Sequence, residues 1–472
     1  MDTESDMSDI IAAISTPPGQ GGVGIVRISG DGSLGIMKKV FFECPQDPMP
    51  RHVYFGHVVD PAKTGPEAVI DEAVFIYMKA PHSYTCEDVV EIQAHGGPVG
   101  LKKILRTVIR NGARLAEPGE FTKLAFMNGR LDLTQAEAVM DIISAKTDMP
   151  YTIAESQLEG SLGRRIREIR QGLLDVLAQM AVNIDFPDED IEEMEYDSFI
   201  RDVSREKENI TSLIDSAPAG RITREGVKVA IVGSPNAGKS SLLNGLLGEE
   251  RAIVTDVPGT TRDTIQEMMD IGGMPVVLED TAGIRDTQDQ VEKIGIDRSR
   301  KALQRADVVL FVIDGSRSLS DEDREIAAAI RECGKESRTI TILNKEDLSH
   351  SFGDAEIREL LEDPRVIQTS LLKGKDLDLS VEKVSGELER IIFAGTGSQL
   401  HSVIVTSERQ LDALERAREQ ADSAVRMLRA GEALEICELG VHGAYDILGE
   451  VIGEEAGDQI LDAVFSRFCL GK

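Results

Sequence analysis

The segment GSPNAGKS at residues 233–240 matches the pattern GxxxxGK[ST], and it constrains the fold more than any other part of this sequence. The apolar run Val227–Val232 precedes it, and an apolar helical stretch at residues 242–247 follows it. A strand, a glycine-rich loop and a helix in this order form the phosphate-binding loop of α/β domains. Backbone N–H groups of such a loop close around phosphates at the positive end of the helix, so we predict a nucleotide site here.

Side chains of this loop have distinct expected roles. Lys239 is predicted to reach the terminal phosphates, and the Ser240 hydroxyl is predicted to bind Mg²⁺. The residues that we expect to surround the phosphates are Asn236, Ala237, Gly238, Lys239, Ser240 and Ser241.

Strand-like and helical patterns alternate after the loop, with buried-strand runs at residues 275–279, Val308–Asp314 and 340–343. This alternation predicts a mostly parallel sheet covered by helices on both faces. We assign it to an α/β domain at residues 225–394.

Helical patterns flank that domain at residues 128–224 and 395–472, which predicts one helical domain into which the α/β domain is inserted. Thr134 and Glu137 have the spacing of a capping box at the start of a helix. Residues 1–127 mix short strand patterns with glycine- and proline-rich turns, which predicts a compact α+β domain.

Two further motifs identify the nucleotide as GTP. In NKED at residues 344–347, the Asp347 carboxylate can accept hydrogen bonds from the guanine ring N–H and its exocyclic amine. Adenine offers neither pattern, so an unpaired Asp347 would reject ATP. In DTAG at residues 280–283, Asp280 is expected to hold Mg²⁺ through water and the Gly283 N–H to contact the γ-phosphate.

The catalytic groups are less evident from the motifs. Many small GTPases place a glutamine directly after DxxG, but Ile284 occupies that position. A group from elsewhere must then orient the attacking water, and Glu292 is the candidate acid. GTTRD at residues 259–263 supplies a threonine, Thr261, to close over Mg²⁺ and the γ-phosphate.

The chain carries 83 acidic and 52 basic side chains, a formal charge of −31. Such a surface repels nucleic acid, so any RNA contact must use a local basic patch or a partner protein. Five scattered cysteines without a CxxC pair predict neither disulfides nor a zinc site. Without an apolar run of membrane-spanning length or a signal peptide, we expect a soluble, cytoplasmic protein.

The chain resembles the MnmE/TrmE family of tRNA-modification GTPases along essentially its whole length. Besides the GTPase motifs, the resemblance rests on TPPG at residues 16–19, GGVGI at 21–25, RISG at 27–30, EDV at 87–89, HGGP at 95–98, PGEF at 118–121, LDL at 131–133, QAEA at 135–138 and FCLGK at 468–472.

The resemblance implies a multidomain α/β and α+β fold: an N-terminal folate-binding domain that forms a homodimer, a discontinuous helical domain and an inserted Ras-like P-loop GTPase domain. It also implies a flavoprotein partner, MnmG/GidA, in a heterotetramer or larger complex. Together they would add a carboxymethylaminomethyl or aminomethyl group to C5 of the wobble uridine of certain tRNAs. A tetrahydrofolate derivative, 5-formyl- or methylene-tetrahydrofolate, would supply the one-carbon unit.

Site residues follow from the same resemblance. The family's folate contacts correspond to Arg27, Glu91, Arg130 and Lys472, and Cys469 is a candidate for chemistry in the terminal motif. A carboxylate such as Glu91 could accept from the pterin amine and ring N–H together. The family's K⁺ site corresponds to Asn236, Thr255, Val257 and Thr260, and its water-activating acid corresponds to Glu292.

The expected GTP contacts extend beyond the phosphate-binding loop. They comprise Thr255, Asp256, Val257, Pro258, Gly259, Thr260, Thr261, Asp280, Thr281, Ala282, Gly283, Asn344, Lys345, Asp347, Ser370, Leu371 and Leu372. The last three stand where the family commonly carries Ser-Ala-Lys or Ser-Ala-Arg beside the guanine.

An alternative function is a GTP-binding regulatory switch, for example in ribosome assembly, without folate chemistry. Folate binding that depends on Glu91 would distinguish the tRNA-modifying enzyme from such a switch.

Overall fold

The computed structural model of the chain describes residues 9–185, 193–248, 252–253, 267–280, 300–349, 351, 354–362, 364–372, 374–394, 403–454 and 457–471. The chain divides into two compact units. The first comprises Met1–Met140, Gln157–Glu206 and Glu419–Lys472, and the second comprises Asp141–Ser156 and Lys207–Arg418.

The described α-helices are numbered in chain order. They are α1 Ser33–Val40, α2 Pro98–Arg110, α3 Glu120–Met127, α4 Leu133–Ser144, α5 Asp148–Leu158, α6 Ser161–Asp185, α7 Glu193–Glu225, α8 Lys239–Leu246, α9 Asp321–Glu332, α10 Asp354–Leu360, α11 Lys375–Ala394, α12 Glu408–Arg429, α13 Leu434–Ile452 and α14 Asp458–Phe465. Because α4, α5, α7 and α12 cross the unit boundaries in sequence, each contains residues of both units.

A mixed sheet in the order β3-β4-β5-β2-β1-β6 forms the N-terminal part of the first unit. Its strands are β1 Ile11–Ile14, β2 Gly21–Ser29, β3 Val53–Val59, β4 Val69–Met78, β5 Val89–Gly96 and β6 Arg114–Leu115. Neighbouring strands run antiparallel, except that β1 and β6 are parallel. α2 contributes Leu101, Ile104 and Val108 to its core, because these positions share one helix face.

The helical part of the first unit buries long apolar stripes. In α6 the apolar residues Ile166, Ile169 and Leu173 are fully buried, and α6 packs along α13. The prediction of a capping box at Thr134 is wrong, because the cap residue lies two positions earlier. Asp132 Oδ1 accepts from the Gln135 N–H, and Gln135 Oε1 accepts from the Asp132 N–H, both at 3.0 Å, so Asp132 caps α4.

The second unit contains the expected α/β domain, with a sheet in the order β13-β12-β11-β7-β10-β9-β8. Its strands are β7 Val227–Val232, β8 Ala252–Ile253, β9 Glu267–Ile271, β10 Met274–Asp280, β11 Val308–Asp314, β12 Thr339–Asn344 and β13 Arg365–Thr369. The five strands from β13 to β10 are parallel, and β9 and β8 extend the sheet antiparallel. The chain is thus a multidomain protein with mixed α/β sheets.

Among the described helices, none combines the length and the apolar character needed to cross a bilayer.

Candidate functional site

The loop at residues 233–238 joins β7 to α8 at the carboxyl edge of the parallel strands. Gly233 and Gly238 have φ angles of 152° and 112°, which L side chains rarely adopt. A Cβ at Gly233 would lie 2.2 Å from the carbonyl oxygen of Val312, and one at Gly238 would lie 2.2 Å from Asn344 Nδ2. The two glycines therefore allow the loop to pass close to β11 and β12.

Polar side chains are arranged along this loop. Lys239 Nζ donates to the carbonyl oxygens of Gly233 at 2.7 Å and Ser234 at 2.8 Å. Asn236 is left-handed with φ 60°, a conformation that asparagine tolerates, and its side chain is exposed. Ser240 is exposed in the first turn of α8. The ammonium, amide and hydroxyl groups thus lie around one loop.

Asn344 joins the loop to the predicted guanine-binding segments. It is 3% exposed at the end of β12. Its Nδ2 donates to the carbonyl oxygen of Ala237 at 2.7 Å, and its Oδ1 accepts from the N–H of Leu371 at 3.1 Å. One buried amide therefore fixes the spacing between the phosphate-binding loop and the segment at residues 370–372.

The Asp347 carboxylate lies beside that segment. Ser370 Oγ donates to Asp347 Oδ1 at 2.9 Å, which restrains the carboxylate expected to read guanine. Leu371 is buried in the core of the domain, whereas Leu372 is exposed. The two leucines thus have different surroundings, which their adjacent positions in sequence did not reveal.

Two polar residues at the end of β11 and just after it, Asp314 and Arg317, were missed from the sequence. Lys345, left-handed with φ 71°, donates from Nζ to Asp314 Oδ2 at 2.6 Å. Burial alone would raise the pKa of Asp314, but hydrogen bonds from Lys345 and Ser316 outweigh it and hold this pKa below its ordinary value. Asp314 is the last residue of an otherwise apolar strand and lies at the nucleotide edge of the sheet, and that signal was available in the sequence.

The second missed residue is Arg317, whose Nη2 donates to Ser234 Oγ at 2.5 Å. Ser234 belongs to the phosphate-binding loop and is 1% exposed. Arg317 also lies 3.7 Å from Asp314 and 3.8 Å from Asp323, so it links the loop to the start of α9. No motif marks such an arginine, because its contact is made across the sheet edge.

Several predicted site residues lie outside the described residues. They are Thr255, Asp256, Val257, Pro258, Gly259, Thr260, Thr261, Thr281, Ala282, Gly283, Glu292 and Lys472. Asp280 is the last residue of β10, and its backbone pairs with Ile231 of β7, so it lies at the same sheet edge as the loop.

A second group of predicted residues meets in the first unit. Arg27 on β2 and Glu91 on β5 are cross-strand partners, and Arg27 Nε donates to Glu91 Oε1 at 2.8 Å. The Arg27 guanidinium carbon lies 5.5 Å from the centroid of the Phe121 ring and 5.6 Å from that of Tyr84. The ion pair between these two candidate folate residues therefore lies beside two aromatic rings.

Tyr84 connects this pair to Arg130. The Arg130 guanidinium carbon lies 4.8 Å from the Tyr84 ring centroid, and Arg130 Nη1 donates to the Tyr84 carbonyl oxygen at 3.0 Å. Arg130 and Tyr84 also line a cavity of about 770 Å³ that includes Cys86 and Asn128. Two of the four predicted folate residues, Arg27 and Arg130, thus contact Tyr84, and Glu91 is joined to this group through Arg27. The sequence reasoning missed Tyr84.

The C-terminal motif packs on the N-terminal sheet of the same unit. Gly471 has φ 90°, and a Cβ there would lie 2.4 Å from the carbonyl oxygen of Ile14 at the end of β1. Phe468 is buried with Phe465 in a core that includes Leu133. Cys469 is exposed beside this contact. The motif is therefore held against β1, which lies beside the strand that carries Arg27.

Comparison with known proteins shows to which family the chain belongs. The sequence profile of the MnmE helical domain matches residues 133–469, and that of the GTP-binding protein TrmE N-terminus matches residues 10–130. The chain is 46% identical over 466 residues to the tRNA modification GTPase MnmE of Ligilactobacillus salivarius, covering 98% of each chain. The chain belongs to the MnmE family. The MnmE proteins of Alkaliphilus metalliredigens and Clostridioides difficile are 45% and 43% identical over 470 residues, covering 99% of this chain and 100% of theirs.

Membership of the MnmE family makes this chain a GTPase of tRNA modification, with GTP as its substrate. The resemblance inferred from its motifs is confirmed. The specific roles assigned above to single residues remain predictions for this MnmE family member.

Proposed function

We propose that the second unit hydrolyses GTP with Mg²⁺ and K⁺, and that this hydrolysis drives modification of C5 of the wobble uridine in certain tRNAs. The convergence of the phosphate-binding loop, Asn344 and Asp347 at one sheet edge carries this proposal. In this proposal the chain acts in the cytoplasm.

The residues of that edge have complementary roles in the proposal. Lys239 neutralises the terminal phosphates, Asp347 accepts the two guanine N–H donors, and Ser240 offers a hydroxyl to Mg²⁺. Bound Mg²⁺ would offset the charge that develops on the phosphate oxygens. Glu292 orients and deprotonates the attacking water, and Thr261 completes the Mg²⁺ ligands.

A K⁺ site at Asn236 is compatible with the loop. The Asn236 side chain is exposed, and within the described residues no hydrogen bond occupies its amide oxygen. Oxygen donors suit hard cations, and Thr255, Val257 and Thr260 would supply the remaining oxygens. The cation would add the positive charge that an arginine finger supplies in other GTPases.

The test compares GTP hydrolysis in K⁺ with that in Na⁺ at equal ionic strength. We expect a K⁺-specific stimulation of more than about tenfold in the parent chain. Asn236→Ala should lose that stimulation while still binding GTP, and Glu292→Ala should bind GTP without hydrolysing it. Equal, slow rates in both salts would contradict the K⁺ site, and normal turnover in Glu292→Ala would contradict the role of the acid.

We propose that the first unit binds a tetrahydrofolate derivative at Arg27, Glu91, Arg130 and Lys472. Glu91 Oε1 accepts from Arg27, and within the described residues no hydrogen bond occupies Oε2. A carboxylate has about four acceptor positions, so Glu91 can accept from a pterin while it keeps Arg27. The Tyr84 and Phe121 rings beside Arg27 support an aromatic ligand.

Folate titration of the intact chain tests this site and the alternative of a regulatory switch. Glu91→Ala should weaken binding of 5-formyl-tetrahydrofolate by at least about tenfold, because two hydrogen bonds to a charged group are lost. Glu72→Ala, which removes an exposed acid from the neighbouring strand β4, is the matched control. An intact chain that binds no folate would favour the GTP-binding switch.

We propose that the first unit forms a homodimer and that the flavoprotein MnmG/GidA completes a heterotetramer or larger complex. β3 is an edge strand, and Val53 and Phe55 expose their side chains on it. Phe42 and Met49 are also exposed, at 77% and 59%. An exposed apolar edge of this kind supports pairing with a second copy.

A further inference from the structure

A cleft of about 330 Å³ lies at the end of the second unit's sheet opposite to the nucleotide edge. It is bordered by the last turns of α7, the beginning of β7, the residues before β11 and the segment after α9. Its charged lining residues are Arg221, Glu225, Lys228, Arg305, Asp307 and Lys335.

The cleft carries four cationic side chains and two carboxylates, a balance opposite to that of the chain, which has 83 acidic and 52 basic residues. Both carboxylates have partners within the cleft. Lys228 Nζ donates to Glu225 Oε2 at 3.3 Å, and the Lys228 backbone N–H donates to Asp307 Oδ2 at 3.0 Å. The cleft is therefore a local positive region on a strongly acidic protein.

Two of the four cationic side chains have no partner within the described residues. Lys335 Nζ donates to the Ala306 carbonyl oxygen at 2.7 Å, but Arg221 and Arg305 have no hydrogen bond or ion pair with the rest of the described chain. Both arginines are exposed. Their guanidinium groups are free to donate two hydrogen bonds each to a planar or tetrahedral anion.

We propose that this cleft binds the phosphodiester backbone of tRNA through Arg221 and Arg305. The family acts in tRNA modification, and direct contact between RNA and a chain of charge −31 requires a local positive region such as this one. Phosphate contacts position the RNA without reading its sequence. The residues that recognise the uridine would then lie outside this cleft.

The position of the cleft allows RNA and GTP to be bound together. β7 begins beside the cleft at Val227 and ends at Val232 before the phosphate-binding loop. Six residues of strand span about 20 Å. β11 likewise runs from the cleft to Asp314, so the two sites lie at opposite ends of the same strands.

The experiment measures binding of an unmodified tRNA transcript to the full chain as a function of salt. Arg221→Ala/Arg305→Ala should bind at least about tenfold more weakly at low salt, and the slope of log affinity against log salt should fall by about two. Arg358→Ala/Arg390→Ala removes the same charge from exposed helical positions of the same unit and should leave binding unchanged. Potassium-dependent GTP hydrolysis, measured on the same preparations, should be unaffected in both variants.

Three outcomes would overturn the proposal. The first is tRNA binding that is equal in the two double variants. The second is a parent chain that binds no tRNA at low salt, a result that would leave its GTP hydrolysis intact as a separate finding. The third is a pair of results: inorganic phosphate binds at the two arginines at constant ionic strength, and tRNA affinity does not depend on them. That outcome would assign the cleft to a small phosphate ligand.

Discussion

Asn344 shows how one side chain can hold a nucleotide site in shape. Its amide contacts Ala237 in the phosphate-binding loop and Leu371 beside the expected guanine position. Both partner groups are backbone groups of buried residues, so they have no water to replace a lost partner. A buried polar group left without a partner costs about 1–3 kcal/mol.

We predict that Asn344→Ala weakens GDP affinity by roughly tenfold to a hundredfold, because it leaves two backbone groups unpaired in the free protein and loosens the loop. Thr341→Val on the same strand is the control. Thr341 Oγ1 is buried and has no hydrogen-bond partner within the described residues, so the substitution removes no interaction. Titration with a fluorescent GDP measures both variants, and equal affinities would contradict this role of Asn344.

In the first unit, the C-terminal segment lies close against β1. Gly471 combines a positive φ with backbone contact to Ile14 and Ser15, a combination that no other residue type satisfies. Phe465 and Phe468 extend the contact into a core with Leu133 and Ala136. The segment therefore belongs to the packed unit.

We predict that Gly471→Ala releases this segment, because the new Cβ would lie 2.4 Å from the Ile14 carbonyl oxygen. The expected results are faster proteolysis at Arg467 and weaker folate binding. Gly457→Ala is the matched control, since its Cβ would meet nothing within 4 Å at a negative φ. Unchanged proteolysis and folate affinity in Gly471→Ala would show that the segment does not need this contact.

Buried strands were predicted from the sequence more accurately than exposed ones. The central strands β7 and β11 were predicted with their observed bounds, because both faces of these strands are covered and give continuous apolar runs. β13 was not predicted, because Arg365, Val366 and Gln368 are exposed on an edge strand. The motif residues of the candidate nucleotide site could be proposed from the sequence because their spacing is local. Tyr84 and Arg317 were missed because their partners are distant in sequence.

At the scale of the whole molecule, the exposed apolar edge at β3 is the surface that we propose to pair with a second copy. We predict that Phe55→Glu raises the dimer dissociation constant by at least about tenfold, since it places a charge on the edge that would pair with a second copy. Val99→Glu on α2, where Val99 is 69% exposed, is the control for an added charge on the same unit. Sedimentation velocity measures both, and a Phe55→Glu chain that dimerises like the parent would place the interface elsewhere.

The first unit is built from three separated stretches of sequence, and this affects how the protein must fold during synthesis. The buried stripe of α6 packs on α13, whereas Lys207–Arg418 lies between the second and third stretches. At about 5–20 residues per second, a ribosome needs on the order of 10–40 s to add these residues. During that time the apolar faces of α4 and α6 lack their final partners, while the parallel sheet of the second unit can form. The nascent chain thus carries an incomplete core for tens of seconds, a period in which chaperone binding would protect it.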